Sequence, residues 1–235
     1  MQISGQRRRR RTKSRGRKKR RKGRMTQYEY VRNAGLNIFG RVMNTPLPTK
    51  LKATLRYFDF PTLDIGVAGA PATHVYAASD LYDPDRTGAG GQPRGFDQLM
   101  ALYDHFVVIG SKCVMKLGSA ANSNPVYIAI DLKDTASPDS NLVATGESSF
   151  MSWDLHSPAG ATTTLVQTYS PKFLGRSYPL SDPDLKGSDA ASPDENGFYH
   201  IMAASPFQTN EAAVVPCVVV EYTAMFIEPK RPSAS

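Results

Sequence analysis

The chain has 235 residues, 40% hydrophobic and 9% aromatic, with 29 Lys and Arg against 21 Asp and Glu, a formal net charge of +8. That composition is globular rather than disordered. Its longest uncharged apolar run, near Ala212–Val220 and interrupted by Pro216, falls far short of the roughly 18–20 residues that a membrane helix needs, so no membrane insertion is expected.

The charge is not spread evenly. Fourteen of the basic residues are Arg7, Arg8, Arg9, Arg10, Arg11, Lys13, Arg15, Arg17, Lys18, Lys19, Arg20, Arg21, Lys22 and Arg24, and residues 1–28 contain no acid. The remainder holds 29 − 14 = 15 basic residues against 21 acidic ones, a charge of about −6. A cationic arm on a mildly acidic body predicts a polyanionic partner held by the arm. Ile3 is the one aliphatic residue of residues 1–24 apart from Met1, so the arm cannot bury enough surface to offset its ordering entropy and is expected to be disordered.

Neutralising phosphates is the physical use of such a run, and those 14 cations are the candidate nucleic-acid-binding residues. With all of them engaged on a single strand, log K against log salt would slope at roughly −10. The contacts would fall on the backbone and carry little sequence information. The arm has no aromatic residue on which bases could stack, and Tyr28 and Tyr30 come just after it. The same run suits a nuclear import signal and its receptors. No apolar stretch follows the charge, as a secretory signal would require. Cys113 and Cys217 are too few for a disulfide scaffold, and a reducing compartment is expected.

Residues 25–49 read as a linker, punctuated by Gly35, Gly40, Pro46 and Pro48, with a short ordered piece around Tyr28–Phe39. The body is expected over residues 50–228 and a short tail over 229–235. Candidate strands follow in order: Lys50–Phe60, Thr73–Ser79, His105–Leu117 with a bend near Gly110, Val126–Leu132, Thr162–Tyr169, Phe198–Ala204 and Val214–Ile227. Pro216 lies near the start of the last, where proline is tolerated. In Arg94–Asp104, Phe96, Leu99, Met100 and Tyr103 have helical spacing, and a second short helix is read at Ser148–Leu155. Many strands, long Pro/Gly/Asp/Ser loops and no strand–helix alternation predict an all-β antiparallel sandwich. The loop lengths favour a jelly roll over an up-and-down barrel.

Catalytic signals fail on inspection. Asp83-Pro-Asp85-Arg-Thr87-Gly88 starts like a calcium loop, but its twelfth position is Arg94 instead of a carboxylate. It also starts like a phosphoryl-transfer aspartate site, without the parallel strand that chemistry requires, and reads as an Asp-Pro turn. Gly88-Ala-Gly90-Gly91 lacks a third glycine where Pro93 stands. His74, His105, His156 and His200 have no ligand spacing to one another or to a cysteine. No catalytic residue, metal or cofactor is expected.

The stretch Gln92–Lys112, QPRGFDQLMALYDHFVVIGSK, resembles capsid proteins of circular, Rep-encoding, single-stranded DNA viruses, the circovirus-like group. In that family a PRGFDQ…LYDHY…V…GSK stretch runs from a loop through a short helix into a central strand. The Arg-rich start, the LKATLRY strand and Gln167–Gly175 agree with it. The resemblance implies a single eight-stranded jelly roll that assembles with itself, about sixty copies in the simplest icosahedral shell. It implies a basic arm against a single-stranded DNA genome, loops that meet a host-cell receptor, and residence in the virion and, during assembly, in the host nucleus. About sixty arms of this charge would supply roughly 840 positive charges, on the order of a small genome's phosphates. Helix Arg94–Asp104 serves as a cap on the sandwich or as an intersubunit element, the two standing equal. The seventh of the family's eight strands has no place in this reading beyond Tyr178–Leu180. The family's topology also makes the strands of Cys113 and Cys217 neighbours, so that a disulfide is conceivable. Two alternatives remain open: a jelly-roll coat of a small RNA virus or satellite, and a non-viral nucleic-acid-binding protein.

Overall fold

The computed structural model describes residues 47–66, 71–118, 124–138, 148–157, 162–207 and 212–231. The strands are β1 (Lys50–Asp59), β2 (Ala72–Ala77), β3 (Tyr103–Leu117), β4 (Val126–Lys133), β5 (Met151–His156), β6 (Thr163–Tyr169), β7 (Phe198–Ala204) and β8 (Cys217–Pro229). Among the described residues, the α-helix α1 (Phe96–Met100) precedes β3.

Their pairing defines the architecture. Antiparallel ladders join β1 to β8, β2 to β7, β3 to β6 and β4 to β5. That is one long ribbon, folded back on itself at the β4–β5 end. The ribbon then wraps, and two further ladders, β3–β8 and β4–β7, close it into two sheets. The sheet orders are β1-β8-β3-β6 and β2-β7-β4-β5. A ribbon of eight antiparallel strands rolled into two four-stranded sheets is a jelly roll, as expected from the sequence.

Period-two alternation decides which side chains enter the core. In β1, Leu51, Ala53, Leu55 and Tyr57 face in, while Lys50, Lys52, Thr54, Arg56 and Phe58 are exposed. From the first sheet, Phe106, Cys113, Met115, Val218, Val220, Tyr222 and Phe226 meet Tyr76, Ile128, Ile130, Tyr199 and Ile201 of the second in one apolar cluster. Removing one such side chain from water contributes about 1.5–3 kcal/mol. The bend expected near Gly110 is a bulge between Val108 and Gly110, where the register against β8 shifts.

The structure corrects the sequence reading at three elements. The helix read over Arg94–Asp104 is only Phe96–Met100. It starts on Gly95 at φ 93°, a left-handed conformation that suits glycine. It stops early because Tyr103, whose helical spacing prolonged the pattern, enters β3 and is fully buried there. The helix read at Ser148–Leu155 is replaced by β5, paired in register with β4. Tyr178–Leu180 is not a strand: Pro179–Ser181 is a single 3-10 turn. The eighth strand of the count is therefore β5, and Phe198–Ala204 is the seventh.

The cysteine-bearing strands β3 and β8 are neighbours, as the resemblance implied. Cys113 stands opposite Val220 and Cys217 opposite Lys116. An offset of three residues puts the two side chains on opposite faces of the sheet, and both thiols are free.

Candidate functional site

The fourteen arm cations, Arg7 through Arg24, lie outside the described residues, as does the linker up to residue 46. The described body begins just before β1, where the Tyr103 hydroxyl donates to the Pro48 carbonyl at 3.0 Å. That bond fixes the point at which the chain enters the sheet.

A polar cluster that the sequence did not announce lies where the end of β1, β2 and the loop after Asp83 meet. His74 Nε2 is 3.0 Å from Asp85 Oδ1. Asp85 also accepts from the Thr87 amide and hydroxyl. The Tyr76 hydroxyl donates to Asp59 Oδ2 at 2.6 Å. Asp59, His74 and Asp85 each offer one ligand atom within 4.8 Å of the others, the one such group among the described residues. An imidazole and two carboxylates are donors that a divalent cation accepts, yet each is already engaged by a neighbour, and the cluster serves as a clasp between the three segments. Burial, with Asp59, Asp85 and Asp83 nearby, pushes the Tyr57 hydroxyl up to about 12. The Tyr76 hydroxyl rises further, through burial and then its hydrogen bond to Asp59.

The Asp83–Gly88 stretch is a turn, as expected. Arg86 donates its amide to the Val75 carbonyl, Ala77 donates to the Pro84 carbonyl, and Gly88 donates to the Asp85 carbonyl. These bonds lay the turn along β2. The other histidines hold structural partners: His105 on Glu228 at 2.8 Å, His156 on Thr163 at 3.0 Å and His200 on the Thr135 carbonyl at 2.7 Å. Burial pushes the Cys113 thiol up, away from nucleophilic use.

The outer surfaces differ between the sheets. On the first, Leu174, Leu180 and Leu185 pack over Val107, Ile109, Met225 and Ile227 at one end. A cleft of about 390 Å³ runs beside them between Lys50, Met225 and Tyr178. On the second, β5 is one of the two edge strands. Its Trp153 and Leu155 are 59% and 49% exposed, and Trp153 stacks on Tyr127 with ring centroids 5.6 Å apart. An exposed aromatic edge of this kind fits a protein contact.

No family model matches the chain, and no curated protein sequence matches it. Solved structures do resemble it in shape. Cocksfoot mottle virus aligns at 10% identity and a TM-score of 0.46, covering 78% of this chain and 97% of its own. The empty head of turnip yellow mosaic virus aligns at 12% and 0.44, covering 81% and 88%. The semi-empty particle of the Macrobrachium rosenbergii nodavirus, from the giant freshwater prawn, aligns at 12% and 0.41, covering 80% and 100%. All three are virus structures.

Proposed function

We propose that the chain is the coat protein of a small icosahedral virus, which assembles with itself and holds a single-stranded genome through its N-terminal arm. The observation that carries this is the pairing of a jelly roll with fourteen cations concentrated in residues 7–24 of an otherwise acidic chain. A structural body and a phosphate-neutralising arm are the two parts that enclosing a nucleic acid requires. His105, His156, His200 and Cys113 serve packing and hydrogen bonding in the body.

For the cargo, the resemblance at Gln92–Lys112 supports circular single-stranded DNA, with assembly in the host nucleus after import on the arm. The RNA-coat reading stands beside it. Phosphate contacts serve both nucleic acids alike.

The test is encapsidation. Full-length protein is mixed with circular single-stranded DNA or with RNA of equal length, and the nuclease-resistant fraction is measured. Protection of the DNA supports the first reading, and protection of RNA alone supports the second. Protection of neither contradicts the coat reading.

A further inference from the structure

The exposed outer face of the β1-β8-β3-β6 sheet carries a second set of cations, separate from the arm. Lys52 and Arg56 on β1, and Lys112 and Lys116 on β3, are all exposed. The register places them on one surface. Arg56 and Lys112 both stand opposite Glu221 of the strand between them, Lys52 opposite Met225 and Lys116 opposite Cys217. These positions differ by even numbers of residues along each strand, so the side chains share a side.

Several cations elsewhere on the body are matched with acids: Arg86 with Asp83, Arg176 with Asp182 and Asp184, Lys186 with Glu228, Lys230 with Asp189. Glu221 is the one acid in the rows that carry these four cations, and Arg56 occupies it at 2.7 Å. Among the described residues, no acid pairs with Lys52, Lys112 or Lys116. A body with a net negative charge has collected unpaired cations on one sheet face, which costs repulsion unless an anion covers them.

The spacing fits a particular anion. Between the Arg56–Lys112 row and Lys116 runs a row of Phe58, Val219, Val114 and Val166. Phe58 is 57% exposed and meets Phe60, also exposed, edge-on at 4.8 Å. Cations flanking an exposed aromatic pair are the surface that a single strand uses, with phosphates on the charges and a base on a ring.

We infer that this sheet face is a nucleic-acid contact surface of the folded body, with Lys52, Lys112 and Lys116 taking phosphates of a single strand and Phe58 stacking a base. The inference rests on the proposed coat function for its biological setting. Its measurement does not depend on assembly.

The experiment compares salt dependence of binding to a 30-nucleotide oligothymidylate for full-length protein and two variants. The triple Lys52→Gln, Lys112→Gln, Lys116→Gln variant is expected to reduce the slope of log K against log salt by about 2, at about 0.7 per lost phosphate contact. Glu221→Gln, which frees Arg56, is expected to steepen it by about 0.7. Lys186→Gln and Lys230→Gln, at paired cations, serve as controls. An unchanged slope in both test variants overturns the inference. If particles are lost in the triple variant while the slope stays, the face is a contact between copies, which also overturns it. If the wild-type chain forms no particle yet the slopes change as stated, the coat reading fails and the binding face stands.

Discussion

The Tyr222 hydroxyl donates to the Ala77 carbonyl at 2.6 Å, from β8 in one sheet to β2 in the other. Both residues are fully buried, so this bond crosses the core of the sandwich. Close by, Ser111 of β3 donates to the Ala78 carbonyl and shares a hydrogen bond with the Tyr199 hydroxyl of β7 at 2.9 Å. The two sheets are thus held by apolar packing and also by a short polar column. Tyr222→Phe keeps the ring and removes the donor, leaving a buried carbonyl without that partner. The expected loss is about 1–3 kcal/mol. Urea denaturation checks it, with a lower midpoint and an unchanged m value. A midpoint equal to wild type would contradict a structural role for the column.

The same tyrosines predict alkaline lability. Burial pushes the hydroxyls of Tyr76, Tyr199 and Tyr222 well above the usual phenol value of 10.0, and that of Tyr57 to about 12. Their folded-state values lie above their unfolded ones, so the folded protein holds more protons above pH 10. The stability they supply is complete below about pH 10 and is lost as pH rises through the folded values. A thermal melting point that falls steeply above pH 10, with these four buried tyrosines ionising only together with unfolding, is the expected result. Ionisation of these four with the fold intact would contradict it.

Gly187 and Phe106 exchange two backbone hydrogen bonds, at 2.9 and 3.0 Å. A Cβ on Gly187 would overlap the Phe106 ring, which is fully buried and packed edge-on against Phe96 at 5.5 Å. The ring has no room to retreat. Gly187→Ala is expected to cost about 1–3 kcal/mol. Gly91→Ala, where an added Cβ meets nothing within 4 Å, is expected to stay within about 0.5 kcal/mol of wild type. Paired denaturation curves decide whether the two glycines differ in this way.

Much of the fold was legible because the buried strands advertise themselves. β1 alternates cleanly, and β7 is a short run buried along its whole length. β5 was not legible. It is an edge strand whose Trp153, Asp154 and Leu155 are all exposed, so neither alternation nor a continuous apolar run marks it, and its spacing mimics a short helix. The helix before β3 was overextended for the opposite reason: Tyr103 belongs to the core, but through a strand. The arm's charge could be read directly. The Asp59, His74 and Asp85 cluster could not, since its members come from three segments and have no common spacing. Lys52 and Lys112 lie 60 residues apart, and each passes for an ordinary outward polar position of a strand. Only the sheet order, with β8 between β1 and β3, brings them onto one face.

The arm's role carries its own expectation. A chain lacking residues 1–24 should keep the cooperative unfolding of the body and lose nucleic-acid packaging, since it loses all fourteen cations of the run. The salt slope for single-strand binding should shrink by roughly 10. Packaging at full level by the truncated protein would contradict the assignment of these residues to the genome.

The central claim is self-assembly, and the size of the full-length protein in solution tests it most directly. Light scattering is combined with negative-stain images of the same fraction, with and without added single-stranded nucleic acid, over several salt and pH conditions. The account predicts closed, uniform particles near the size of a shell of about sixty subunits. A stable monomer or small oligomer under every condition would contradict it and favour a nucleic-acid-binding protein that does not form a shell.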